Sequence, residues 1–241
     1  MNRRRLLAAL GTAGLAGCLG GDGGSVSTES TGGESPPTSS DDSPTSTADA
    51  SSGSVSVPDH PTAAALTAQP RYGDLDGHLI VAFEDPSCPR CAAFHDRVVP
   101  TIRDQLVEPG DAAFVFRNYP VVYAWGEPAT QALEATFARD ESAFWGLLDY
   151  YYRNQSRLSI DNVSRLTESF LAGTDLDETA VVADAESAAY DDAVQADLDA
   201  AEAGGVGRST PAVALFRDGT FVTTANGSVS YDLIANTLGE A

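Results

Sequence analysis

The chain has 241 residues, with 35 acidic side chains against 14 basic ones, and its formal net charge at pH 7 is −21. A negative field of this size argues against anionic partners, so nucleic acid and anionic lipid surfaces are not expected to bind. All of the basic residues are arginine. An acidic excess without lysine is typical of halophilic proteins, since near-saturating salt screens the self-repulsion.

The N-terminus has the features of an export signal. A basic segment, residues 2–5, is followed by an apolar stretch from Leu6 to Gly17 and then by Cys18. This pattern predicts a signal peptide over 1–17, and the apolar stretch is too short to favour a permanent membrane span. Leu15-Ala16-Gly17-Cys18 resembles a lipobox, and the arginines before Leu6 resemble a twin-arginine signal. We therefore expect an exported protein, anchored to the outer face of the membrane by a lipid on Cys18.

The next segment, 18–58, is predicted to be a disordered tether. It consists mainly of Ser, Thr, Gly, Asp and Pro, and it cannot bury enough apolar surface to offset the entropy of ordering. The remaining residues, 59–241, have the length of one domain. Three N-glycosylation triplets, at Asn154, Asn162 and Asn226, are compatible with an exterior location.

The first half of this domain reads as strand, helix, strand. An apolar run, His78–Phe83, predicts a buried strand. A helix is predicted from about Pro89 to Leu106, with a kink at Pro100. A second buried strand is predicted over Ala112–Phe116.

The second half is predicted to be mainly helical until near its end. No strand pattern occurs between about residues 124 and 203, where Gly204 and Gly205 stop the helical pattern. A hairpin follows, with strands Ala212–Phe216 and Thr220–Thr224, and a short helix, Tyr231–Leu238, closes the chain. The fold class is therefore α/β, with a helical insertion between a βαβ half and a C-terminal hairpin and helix.

The run Cys88-Pro89-Arg90-Cys91 lies where the first strand gives way to the first helix. Unpaired N–H groups and the positive end of the dipole at a helix N-terminus favour a thiolate on Cys88. Pro89 suits the first helical turn, and the cation of Arg90 acts in the same direction as the dipole. Cys91 lies on the apolar side of the helix, so its pKa is expected to be higher. Two unequal thiols in this arrangement indicate reversible disulfide chemistry.

The folded part resembles the DsbA-type thiol:disulfide oxidoreductases, a branch of the thioredoxin-like superfamily. The matching motifs, beyond the cysteine pair, are Gly73-Asp74, Phe83-Glu84-Asp85, Arg117-Asn118-Tyr119-Pro120 and the run from Gly205 to Pro211. The resemblance implies a redox-active disulfide without a further cofactor, with Cys88 as the nucleophile and Cys91 as the resolving thiol. It also implies a cis-proline loop at Thr210-Pro211 that holds the substrate beside the disulfide.

These features predict an oxidase that introduces disulfides into exported proteins. Its expected partners are exported protein or peptide thiols and a membrane redox partner that re-oxidises it, and it is expected to be a monomer. Glu84, close before Cys88, is a candidate proton relay, and Asp85 is a weaker one.

Three alternatives stay open at this point. The protein could act as a reductase or isomerase, because the chain gives no information on the electron supply. It could be a cell-surface protein that binds copper or zinc through the two thiols and His95, although a single CxxC supplies only half of a structural zinc site. It could also be a binding module without turnover. We expect no metal, and we expect His95 to be a partly exposed helix residue.

Overall fold

The computed structural model describes residues 58–241. The predicted signal peptide, Cys18 and the tether up to residue 57 lie outside the described residues. The centre of the fold is a five-stranded sheet with the order β1-β3-β2-β4-β5. Its strands are β1 Arg71–Tyr72, β2 His78–Glu84, β3 Ala112–Asn118, β4 Ala212–Arg217 and β5 Thr220–Asn226.

Helices cover the sheet and form the insertion. The first half contributes α1 and α2, the middle of the chain contributes α3 to α7, and α8 follows the hairpin. Their bounds are α1 Pro89–Arg97, α2 Val99–Ile102, α3 Gly126–Phe137, α4 Glu141–Asn154, α5 Val163–Leu171, α6 Glu178–Glu186, α7 Asp191–Ala203 and α8 Tyr231–Leu238. Within the described part of the chain, no helix is both long and apolar enough to cross a membrane.

The two central strands are buried on both faces, which explains why they read as continuous apolar runs. All seven residues of β2 and all seven of β3 are buried, and the two strands are parallel. Since α1 connects them, this is a βαβ unit. β4 pairs antiparallel with the other side of β2, and β5 pairs antiparallel with β4. The expected thioredoxin-like α/β fold with a helical insertion is confirmed.

The first helix differs from the prediction. It is not one kinked helix from Pro89 to Leu106, because α1 ends at Arg97 and α2 begins after Val98. Pro100 has no N–H to donate and its ring crowds the preceding turn, so it lies in the first turn of the new helix. A turn of π-helix, Arg103–Val107, then completes the segment.

The insertion is tied to the sheet by a buried ion pair that links β3 to α7. Arg117 and Asp197 are almost fully buried, and their Nη1 and Oδ1 atoms lie 2.6 Å apart. Asp197 also accepts hydrogen bonds from the backbone N–H of Asn118 and from Gln69. Burying two charges is tolerated here because their hydrogen bonds are satisfied within the protein.

Candidate active site at the start of helix α1

Cys88 occupies the N-cap position of α1. Its backbone is extended and Pro89 takes the first helical position, where a missing N–H costs nothing. The Cys88 Sγ atom accepts a hydrogen bond from the backbone N–H of Cys91 at 3.4 Å. Both cysteines are free thiols in this structure and both are buried. The strand-to-helix turn therefore places one sulfur among the unpaired N–H groups of the helix.

The surroundings of Cys88 stabilise its thiolate. Together they lower the pKa of Cys88 from 9.0 to about 6, and the largest cause is a hydrogen bond from the Cys91 thiol. Burial opposes this, while the backbone N–H groups of Cys91 and Arg90 reinforce it. At neutral pH the Cys88 sulfur is therefore mainly a thiolate, which is both a nucleophile and a good leaving group.

The surroundings of Cys91 have the opposite effect. Burial raises the pKa of Cys91 well above its usual value, and the neighbouring Cys88 and Glu84 add to this. Cys91 has no exposed surface, whereas Cys88 keeps a small fraction. The pair therefore consists of an ionised sulfur near the surface and a protonated sulfur behind it.

The loop before β4 lies against the outer sulfur. The Thr210–Pro211 peptide bond is cis, as the resemblance implies, and the carbonyl of Thr210 lies 3.4 Å from Cys88 Sγ. Ser209 lies 3.3 Å, Oγ to Nη2, from the exposed side chain of Arg90. Residues more than 100 positions apart in the chain therefore form one site.

A buried carboxylate fixes the turn that presents Cys88. One oxygen of Asp85 accepts the N–H and O–H of Ser87 at 2.7 and 2.6 Å. The other accepts the N–H groups of Val121 and Val122 at 2.8 and 2.7 Å. Because four donors occupy Asp85, the structure favours a positioning role over the weaker proton-relay prediction for this residue.

The helical insertion holds the same turn from the other side. Gln155, directly after α4, donates its amide N–H groups to the carbonyls of Pro86 and Cys88 at 3.0 and 2.9 Å. Gly126, the first residue of α3, packs so closely that a Cβ there would lie 2.6 Å from Asp85 Oδ1. Sequence reasoning missed both residues, because nothing in the local pattern relates them to a motif more than 30 positions away.

Glu84 lies at the end of β2 and is fully buried. Its Oε1 atom is 3.0 Å from Nε2 of His95, and its Oε2 atom accepts the hydroxyl of Tyr152 at 2.8 Å. Burial raises the pKa of Tyr152 well above its usual value, so this hydroxyl stays protonated and donates. His95 is partly exposed and belongs to α1, as predicted. Tyr152 was not predicted, because it comes from a helix of the insertion.

Few features of the described residues support a metal site. Among residues 58–241, no group of three or more His, Cys, Asp or Glu side chains has the arrangement of a metal site. The Nε2 atom of His95 faces Glu84 at 3.0 Å.

Solved structures with the same architecture come from several bacteria. An oxidised BdbD from Bacillus subtilis superposes with a TM-score of 0.63 and 21% sequence identity, covering 72% of this chain and 92% of that chain. A DsbA from Chlamydia trachomatis gives a TM-score of 0.58 and 18% identity, covering 71% and 90%. At these identities the likeness establishes a common, DsbA-like fold.

Sequence comparison adds curated relatives and a family. Proteins named probable disulfide bond formation protein D, from Bacillus cereus and Bacillus anthracis, are 28% and 27% identical over 108 residues. Each match covers 44% of this chain. The chain spans about half the length of these relatives, 49% of the first and 48% of the second. A family model described as Thioredoxin (Thioredoxin_4) matches residues 66–232, well over half of the sequence. The chain therefore belongs to this thioredoxin family.

Proposed function

We propose that the protein is a thiol:disulfide oxidoreductase that introduces disulfides into exported proteins through Cys88 and Cys91. The observation that carries the proposal is the inequality of the two sulfurs: the pKa of Cys88 is lowered to about 6 and that of Cys91 is raised. A stabilised thiolate favours the dithiol form of the protein, and this makes its disulfide form a stronger oxidant. The names of the curated relatives point in the same direction.

The proposed reaction begins with the oxidised protein. A substrate thiolate attacks Sγ of Cys88, the Cys88–Cys91 bond breaks, and its electron pair leaves on Sγ of Cys91, which takes up a proton. A second thiolate of the substrate then attacks the substrate sulfur of the mixed disulfide and releases the Cys88 thiolate. The substrate gains a disulfide and loses two electrons, which remain in the reduced Cys88–Cys91 pair.

Two surfaces beside Cys88 support a peptide substrate. Thr210 and Pro211 form one wall, where the Thr210 carbonyl already lies within 3.4 Å of the sulfur. On the side of the insertion, an apolar cavity of about 580 Å³ is lined by residues that include Pro89, Tyr123 and Ile160. More than half of the Tyr123 and Ile160 surface is exposed, so this cavity can receive an apolar side chain next to a substrate cysteine.

The cellular setting completes the proposal. A signal peptide over 1–17 and a lipid on Cys18 would place the domain outside the membrane, at the end of the tether over 18–58. The domain would act as a monomer and be re-oxidised by a membrane redox partner. Disulfides persist in that location, which suits an oxidase.

The direct test is catalysis of disulfide formation in a reduced, unfolded substrate protein, measured in high salt. We expect the oxidised wild-type protein to accelerate disulfide formation, and Cys88→Ser to abolish the effect. Cys91→Ser retains the nucleophile but cannot resolve an exchange, so with a disulfide-bonded substrate its Cys88 thiolate should displace one substrate sulfur as a thiolate and accumulate as a mixed disulfide with the other. If the wild-type protein gives no acceleration and Cys91→Ser traps nothing, the proposed function is wrong.

A further inference from the structure

Behind the redox pair, a carboxylate connects the protein interior to the histidine on α1. The side chain of Glu84 is fully buried, and its two oxygens have separate partners, His95 at 3.0 Å and the Tyr152 hydroxyl at 2.8 Å. The Tyr152 hydroxyl fixes the orientation of the carboxylate. The other oxygen faces an imidazole, which is a group that exchanges protons near neutral pH.

His95 is the most exposed member of this group. Its side chain is 15% exposed, compared with 0% for Glu84. The ring contacts Phe114 and Phe116 edge-on, and it lines a cavity of about 390 Å³ together with Asp96, Asp149 and Arg153. His95 therefore lies between a buried acid and water.

His95 is also close to the inner sulfur. Cys91 and His95 are both in α1, four residues apart, so they occupy the same face one turn from each other. Cys91 itself has no exposed surface, so its proton has no direct route to water. Asp85 does not provide one either, since four hydrogen-bond donors occupy its carboxylate.

We propose that His95 is the proton exit of the redox site, passing a proton between the buried Glu84, which serves Cys91, and the water-accessible cavity beside α1. The proposal rests on the proposed thiol:disulfide exchange and adds a residue to it. His95 acts through Glu84, so it is a proton-relay residue that does not touch the reacting sulfurs.

The relay fits the balance of the reaction. When the Cys88–Cys91 bond breaks, the electron pair remains on Cys91, and the proton shared by Glu84 and His95 neutralises this sulfur. Water in the cavity then returns a proton to His95. The net proton count is unchanged, because ionisation of the substrate thiol had released one proton to water. During re-oxidation the same groups carry the proton of the Cys91 thiol outwards, so that the sulfur can attack.

The titratable and charged side chains around His95 come from three elements of the fold. These are Cys91 and Asp96 on α1, Glu84 on β2, and Asp149, Tyr152 and Arg153 on α4, while β3 contributes only aromatic rings. Carboxylic acids outnumber the single arginine in this set.

The test measures single-turnover reduction of the oxidised protein by a dithiol peptide, between pH 5 and 9, for the wild type, His95→Gln and His95→Ala. General acid–base groups contribute roughly 100-fold or more, so allowing for partial replacement by water we expect the variants to be about tenfold slower at low pH. The dependence of the rate on pH should also differ between the wild type and both variants. Free imidazole, which fits the enlarged cavity, should restore the rate of His95→Ala.

A matched control is His78→Gln. His78 lies at the opposite end of β2, bonded to Glu240 and to the backbone of Asp218, and this substitution should leave the rate and its pH profile unchanged. Variant rates equal to the wild-type rate, or a loss that imidazole does not restore, would overturn the relay. This differs from failure of the proposed function, in which the wild-type protein itself would show no exchange with the peptide.

Discussion

At the scale of single residues, the chemistry depends on the difference in pKa between the thiols of Cys88 and Cys91. The Cys91 thiol and the helix N-terminus lower the pKa of Cys88, whereas burial raises the pKa of Cys91. Sequence spacing alone predicts this inequality, since i and i+3 at a helix start place one thiol at the N-cap and the other one turn inside.

The ionisation of Cys88 should appear in the stability of the reduced protein. Its pKa is lowered from 9.0 to about 6 on folding, so its contribution is fully present above pH 9 and is lost as the pH falls through 6. Three pKa units correspond to at most about 4 kcal/mol. We expect the difference in unfolding free energy between the reduced wild type and Cys88→Ser to grow from pH 6 to pH 9. The measurement is denaturant unfolding with a reductant present, and a difference that is independent of pH would contradict the assigned pKa.

At the scale of elements, the active-site turn is held by segments whose contacts with it cannot be predicted from the sequence. Strand β2, helix α1, the hairpin and α8 could be predicted because their apolar patterns and turn residues are local. The contacts of Asp85, Gln155 and Gly126 could not, since they depend on how the insertion packs on the sheet. The break at Val98 was also missed, because a proline in the sequence does not show whether one helix is kinked or a second helix begins there. The pairing of Arg117 with Asp197 could not be predicted for the same reason as those contacts, because an ion pair across 80 positions is set by tertiary structure.

Gly126 offers a sharp test of this packing. In Gly126→Ala the new Cβ would lie 2.6 Å from Asp85 Oδ1 and 2.9 Å from Ser87 Oγ, so the turn before Cys88 must shift. We expect a loss of stability of about 1–3 kcal/mol, as for overpacking, and slower thiol exchange. The matched control is Gly146→Ala in α4, where the nearest atom is an ordinary 3.5 Å contact with Phe170. That change should be neutral or stabilising by about 1 kcal/mol. The measurement is the unfolding free energy of both variants in denaturant. An equal change in the two variants would refute the close packing at Gly126.

At the scale of the whole molecule, the net charge of −21 should make the fold dependent on salt. The Debye length is about 30 Å at 0.01 M and about 3 Å at 1 M, so repulsion among surface carboxylates acts across the domain only in dilute buffer. We expect the melting temperature to fall steadily from molar salt to millimolar salt. A melting temperature that stays constant over this range would exclude the halophilic interpretation.

The central claim is that the Cys88–Cys91 pair is an oxidant, and its reduction potential tests this most directly. The measurement equilibrates the protein with glutathione buffers in high salt and follows the free thiols. The stabilised Cys88 thiolate predicts a potential in the range of the known oxidants and isomerases, about −120 to −180 mV. A potential at or below that of thioredoxin, about −270 mV, would contradict the account and assign the pair to reduction.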